Sequence, residues 1–297
     1  MLRELAEAVA TRRVGARELV ALALERIERL DPGIGAVVAV RGDQALEEAA
    51  ALDERLAQGE PAGPLAGIPF LVKDIEDLRA APTTHGSLLF RQAARARADG
   101  VIPARLRAAG AIPVGKANTP EFASEGFTAN RLFGATRNPW APEWSPGGSS
   151  GGSAAAMATG MVPVATATDT GGSIRIPAAF CGLAGIKPTK GLVPFDDDLY
   201  WGDLTTAGPL GATVDDLRLL LDVMADRTLE DASLPRRVIA VPRFVPAGPL
   251  PKGVEVAFAT ALGAIERDLG FPVEPLEPEA LGVPANPEAD WGRWTAP

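Results

Sequence analysis

Three serines in this chain each follow a pair of glycines, and two of them, Ser149 and Ser173, stand out. Ser149 lies in Pro146-Gly147-Gly148-Ser149-Ser150-Gly151-Gly152-Ser153, and Ser173 in Asp169-Thr170-Gly171-Gly172-Ser173-Ile174-Arg175-Ile176-Pro177. Glycine lets backbone approach backbone or ligand where a Cβ would clash. A hydroxyl presented beside bare amide N–H groups has the layout of acyl transfer, a nucleophile next to donors for a developing oxyanion. A flexible Gly/Ser linker is the alternative. The apolar segments that follow, Ala154-Ala155-Ala156-Met157 and Val162-Pro163-Val164-Ala165, argue against it.

A serine hydroxyl is a poor nucleophile until a base takes its proton. The single histidine, His85, lies upstream in Thr83-Thr84-His85-Gly86-Ser87 and reads as a polar turn residue. That leaves a Ser-Lys arrangement as the physical alternative to Ser-His-Asp. An ordinary lysine, with a pKa near 10.4, is neutral in roughly one molecule in 2,500 at pH 7. A lysine base therefore needs burial or nearby positive dipoles to bring it toward about 7 to 8. Lys73 follows the apolar run Ile68-Pro69-Phe70-Leu71-Val72, which would desolvate it. An ion pair with Asp74 or Asp77 accounts for Lys73 equally well on these residues alone.

Rival chemistries fare worse. Gly147-Gly148-Ser149-Ser150-Gly151 fits G-x-S-x-G, but that elbow needs its acid and histidine after the serine, and no histidine follows Ser149. No G-x-x-x-x-G-K-[ST] loop occurs. One histidine and one cysteine cannot supply a zinc site, so no metal or cofactor is expected. Cys181, between Phe180 and Gly182, reads as a small core residue.

These serines, together with Gly67-Ile68-Pro69-Phe70-Leu71-Val72-Lys73-Asp74, resemble the amidase signature family. Pro82-Thr83-Thr84, Gly115-Lys116-Ala117-Asn118 and the run from Ala178 to Pro188 add to the likeness, which is dense from about 67 to 190. The resemblance implies an α/β fold with a single mixed, largely parallel sheet covered by helices on both faces. It implies an amide hydrolase that cleaves a small-molecule carboxamide through a serine acyl-enzyme. Carried over by position, Lys73 matches the general base and Ser149 the bridging serine, whose bond to Gly148 is cis in the family. Ser173 matches the nucleophile, and the amides of Thr170, Gly171, Gly172 and Ser173 match the oxyanion hole. Asp169 and Arg175 read as structural support through charge-assisted hydrogen bonds. Ser150 and Ser153 read as loop or helix-start hydrogen bonders, and Glu121 to Thr128 as a border of the substrate. The amidase subunit of a glutamyl-tRNA amidotransferase is a rival within the family. Asn118-Thr119-Pro120-Glu121-Phe122 and Ser173-Ile174-Arg175-Ile176-Pro177 look more like general amidases.

The elements that must position these residues follow from periodicity. Helical spacing runs from Arg17 to Leu30, Ala45 to Leu56, Ile102 to Ala108, Asp215 to Met224 and Val254 to Leu269. Strands are expected at Ala36 to Val40, Ile68 to Val72, Ala111 to Gly115, Val162 to Thr168, Val238 to Val241 and near Phe271. Such alternation implies α/β layers, and Lys73 and the Asp169 to Ser173 loop fall at carboxyl ends of strands, where α/β sites gather.

The 297 residues, 46% hydrophobic and 23% charged, suit a globular core and are read as a single domain, 1–297. A net charge of -9 disfavours a nucleic-acid surface. No apolar run approaches a membrane span and the N-terminus is not a signal peptide, so a cytoplasmic protein is expected. Oligomeric state, a homodimer included, stays open. From about 272 onward the chain is Pro- and Glu-rich and ends near Trp291 and Trp294. That tail, 272–297, suggests either a truncated and catalytically impaired amidase or a naturally short variant with a loose end.

Overall fold

The computed structural model describes residues 1–195, 204–230, 238–240 and 251–275, the strand at 238–240 as backbone alone. Helices α1 (Leu2–Ala10) and α2 (Ala16–Leu30) precede strand β1 (Val37–Val40), helix α3 (Gly42–Ala57) and strand β2 (Pro69–Lys73). Helix α4 (Val101–Ala108) leads to β3 (Ile112–Ala117) and the small pair β4 (Ala129–Asn130) and β5 (Gly134–Ala135). Then come α5 (Gly151–Ala158), β6 (Val164–Asp169), α6 (Arg175–Cys181), β7 (Ala184–Gly185), β8 (Thr206–Gly211) and α7 (Val214–Ala225). These form one compact unit, Met1–Leu229. A second unit, Glu230–Pro297, contains β9 (Val238–Ala240), α8 (Lys252–Leu269) and β10 (Val273–Pro275), with β9 and β10 parallel. Trp291 and Trp294 lie outside the described residues.

The main sheet has the order β1-β3-β2-β6-β8-β7. Its centre, β3-β2-β6, is parallel, and β1, β8 and β7 join antiparallel at the flanks. Alternate residues of a strand point to opposite faces, and both faces are buried here. Leu71, Val114, Ala165 and Ala167 meet α2, α3, α5 and α6 on one side. Phe70, Val72 and Val164 meet α1, α4 and α7 on the other. This is an α/β layered fold, helices covering both faces of a mixed sheet.

Local chemistry fixes the element ends. The first amides of α2 need acceptors, and the Asp53 carboxylate of α3 takes the N–H groups of Ala16 at 2.7 Å and Arg17 at 3.0 Å. Thr213 caps α7 by accepting from the Asp216 N–H at 3.1 Å.

Helix α1 has an apolar face, Leu2, Ala6 and Val9, that the periodicity reading overlooks, whereas α5, α6 and β8 escape it for physical reasons. Gly151 to Met157 of α5 are buried on every side, so no amphipathic stripe marks them. Helix α6 carries Pro177 in its first turn, where the missing N–H costs nothing. Strand β8, Thr206-Ala207-Gly208-Pro209-Leu210-Gly211, is built from residues that usually mark turns.

Candidate active site

Lys73 ends β2 in the centre of the sheet and is fully buried. Its Nζ lies 2.8 Å from Ser149 Oγ, 3.0 Å from Ser150 Oγ and 2.9 Å from Thr168 Oγ1. An ammonium has three protons, and three hydroxyl oxygens receive them. Burial drives the lysine pKa down to about 7, against the opposing pull of Glu76 and Asp169. Near that value about half the molecules carry a neutral amine at pH 7, where an ordinary lysine would offer almost none.

The hydroxyls around the amine are not equivalent. Ser150 Oγ directs its own proton to the Thr168 carbonyl at 3.3 Å, so toward the amine it only accepts. Ser149 and Thr168 remain able to donate a proton to neutral Lys73. Both glycine loops converge on this point. The Ser150 N–H donates to the Ser173 carbonyl at 3.2 Å, stitching the second loop to the first. Ser149 is buried whereas Ser173 is only half-buried, so Ser173 is the more exposed of the two. The Ser173 hydroxyl has no hydrogen-bond partner among the described residues.

The loops are held in several places. The Gly148–Ser149 peptide bond is cis. Thr119 donates to the Ser149 carbonyl at 3.1 Å, and Thr128 to the Gly147 carbonyl at 2.8 Å. A Cβ at Gly152 would stand 2.4 Å from the Asn118 carbonyl oxygen, so only glycine lets the start of α5 press against the end of β3. A Cβ at Gly148 would likewise stand 2.5 Å from the Phe127 carbonyl oxygen, so Phe127 lies against the residue before Ser149.

Asp169, at the end of β6, organises the second loop. Its carboxylate takes both the Nε and Nη2 protons of Arg175 at 2.9 Å, a two-pronged pair, and accepts from the Gly172 N–H at 2.8 Å and the Ile174 N–H at 3.2 Å. Burial pushes this carboxyl upward, but Arg175 and the two amides outweigh it, so it titrates below its ordinary 3.8. Gly172, with φ +122, donates its N–H inward to Asp169. The amides of Thr170, Gly171 and Ser173 are the others in the loop that could face a developing negative charge.

Asp169→Asn is expected to lower unfolding stability at pH 7 by about 1 to 3 kcal/mol, because it weakens several charge-assisted hydrogen bonds at once. The depressed carboxyl stabilises the fold fully above pH 3.8, and that contribution is lost as pH falls through the lowered value. Denaturant melts at pH 7 and pH 3 check this. Equal midpoints for both proteins at pH 7 would refute the assigned role.

Asp74 does not face Lys73. Neighbouring residues leave a strand on opposite sides, and Asp74 Oδ1 meets Lys116 Nζ at 3.3 Å while Thr84 donates its hydroxyl to Oδ2. Asp77 accepts from Thr83 at 2.6 Å. His85 sits in a turn with φ +53, yet it is buried, edge-on to Phe90 at 5.0 Å and stacked on Phe122 at 6.5 Å. Cys181 is buried too, and desolvation lifts its thiol to about 12, far from a thiolate. Among the described residues no helix is long and apolar enough to cross a membrane.

Thr166, Thr168 and Thr119 contact the site and were missed from sequence. A signal existed for two of them: in Val164-Ala165-Thr166-Ala167-Thr168 the threonines alternate, so both hydroxyls share one face beside β2.

Comparison with known proteins identifies the family. The Amidase family model matches residues 18–281. AmiB2 of Mycobacterium tuberculosis is 41% identical over 268 residues, covering 86% of this chain and 57% of that protein. A glutamyl-tRNA(Gln) amidotransferase subunit of Chloroflexus aurantiacus is 42% identical over 280 residues, covering 89% of this chain and 57% of that one. A bacterial aryl acylamidase of the amidase signature enzymes superposes with a TM-score of 0.85 at 33% identity, over 98% of this chain and 63% of its own. This chain spans less than two thirds of the length of these relatives.

Proposed function

The chain belongs to the amidase family, and from that premise we propose that it hydrolyses a small carboxamide through an acyl-enzyme on Ser173. The observation that carries this reading is the fully buried Lys73 amine, brought to about 7 and 2.8 Å from Ser149 Oγ. In the proposed sequence Ser173 Oγ attacks the amide carbonyl carbon. Its proton passes to Ser149 Oγ while the Ser149 proton passes to Lys73 Nζ. The amides of Thr170, Gly171 and Ser173 support the oxyanion; Gly172 is left out because Asp169 holds its N–H. When the C–N bond breaks, the ammonium of Lys73 returns a proton through Ser149 to the departing nitrogen. Water then attacks the ester by the same relay and releases the acid.

The working base is the neutral amine, so activity must rise with pH through the lysine midpoint. Log kcat/KM is expected to climb with unit slope below about 7 and to level off above it. Initial rates of ammonia release from aliphatic and aromatic amides between pH 5.5 and 9 test both the activity and its base. A flat profile through pH 7 would exclude Lys73 as that base.

The similarity to the amidotransferase subunit favours a second reading, in which the same serines release ammonia from glutamine for a partner that activates an acyl-tRNA. Glutamine hydrolysis that outpaces that of simple amides, and rises on adding such a partner, would select it. A cytoplasmic setting forms part of either proposal.

A further inference from the structure

A second group of buried charges lies directly behind Lys73. Glu76, only 5% exposed, stands in the turn that follows β2, and its N–H donates to the Lys73 carbonyl at 3.0 Å. Its carboxylate accepts from the Thr166 hydroxyl, and the same Thr166 oxygen accepts the Lys73 N–H at 2.9 Å. Lys116 Nζ from β3 closes the turn on the other side, donating to the Glu76 carbonyl at 2.6 Å and to Thr83 at 3.2 Å.

Other charged groups lie nearby, and Lys116 is coupled to Glu76 as well as to Asp74. Asp169 of β6 is bound to Arg175, Asp74 to Lys116, and Asp77 to Thr83. The imidazole of His85 packs between Phe90 and Phe122, and burial holds it below its ordinary range. Glu76 reaches the lysine through one hydroxyl and one turn of backbone.

We propose that Glu76 is a positioning residue for Lys73: through Thr166 it fixes the end of β2, and its buried carboxylate supports the ammonium that forms when the amine accepts a proton. This rests on the reading of Lys73 as the base. A buried amine with no such support gives up its proton easily but accepts one reluctantly. An opposite charge favours the ammonium form, and Glu76 is the larger of the two carboxylate pulls on Lys73. Glu76, with a smaller pull from Asp169, thus works against desolvation, and the three together set where the amine titrates.

The test is direct titration of Lys73 by carbon-13 NMR of lysine-labelled protein. The chain has five lysines, and a Lys73→Met sample assigns the resonance. The wild-type midpoint should lie near 7. Glu76→Gln should lower it by about one pH unit, whereas Glu76→Asp, which keeps the charge, should stay closer to wild type. Thr166→Val cuts the bridge and should also move the midpoint, which covers the case of a Gln variant that does not fold. The acidic limb of the rate profile should shift downward with the midpoint, and the plateau rate should fall several-fold. A midpoint unchanged or raised in Glu76→Gln, or unchanged in Thr166→Val if the Gln variant does not fold, would overturn the proposal. The titration needs no turnover, so an inactive protein would count against the amidase reading and leave this measurement intact.

Discussion

Ser173→Ala is expected to lower kcat on any amide the protein turns over by about 10⁴-fold or more, with KM changed little. The hydroxyl is the one group that would form a bond to substrate, and nothing beside it can take its place. Ser149 is buried and Ser150 gives its proton to the Thr168 carbonyl. The loop geometry should survive, because it is Asp169, and not the Ser173 side chain, that holds the loop amides. Burst-phase and steady-state kinetics on the purified variant measure the loss. A rate within tenfold of wild type would place the nucleophile elsewhere.

Lys73→Met is the second large effect, and it should run in opposite directions for activity and stability. Activity is expected to drop by about 10³-fold, within the span usual for loss of a general base. Stability should not drop. Methionine fills a similar volume and removes the cost of holding a proton out of water at and below pH 7, a cost that the lowered lysine pKa records. The pH dependence follows from the direction of the shift. The folded lysine titrates near 7 and the unfolded one near its ordinary 10.5, so between these values the unfolded chain binds more protons. Wild-type stability therefore rises with pH across that window. The advantage of the Met variant should be largest at or below pH 7 and shrink toward pH 10. Thermal melts at pH 6 and pH 9.5 read this difference. A Met variant less stable than wild type at pH 6 would mean that the three hydroxyls left behind cost more than the charge they served.

Much of the candidate site is legible in the chain because its parts are chemically unusual. Serines after paired glycines, and a lysine closing an apolar strand, draw attention to Lys73, Ser149 and Ser173. Asp169 and Arg175 are six positions apart, and the charge-assisted pairing between them can be anticipated. The partner of Asp74 cannot be, because adjacency along a strand says nothing about proximity across it. Lys116 reaches Asp74 only because β3 lies parallel beside β2. The threonines escape notice for another reason. Threonine is ordinary in a strand, and only the position of Lys73 on the neighbouring strand turns Thr166 and Thr168 into its surroundings.

The fold divides in the same way. Although α1, with one apolar face, is overlooked, α2 and α7, each with such a face too, announce themselves by period. Helix α5 does not, since burial on all sides erases the pattern that marks a surface helix. The small residues that obscure it also let its start sit against Asn118 and carry Ser149 to the lysine.

The most direct test is the rate and place of labelling by a fluorophosphonate, which reacts with an activated serine without needing the natural substrate. Peptide mapping by mass spectrometry should find one adduct, on Ser173, formed at a rate that rises with pH through a midpoint near 7 and is abolished by Lys73→Met. An adduct on Ser149 or Ser150, or labelling of Ser173 at a rate indifferent to Lys73, would contradict the account.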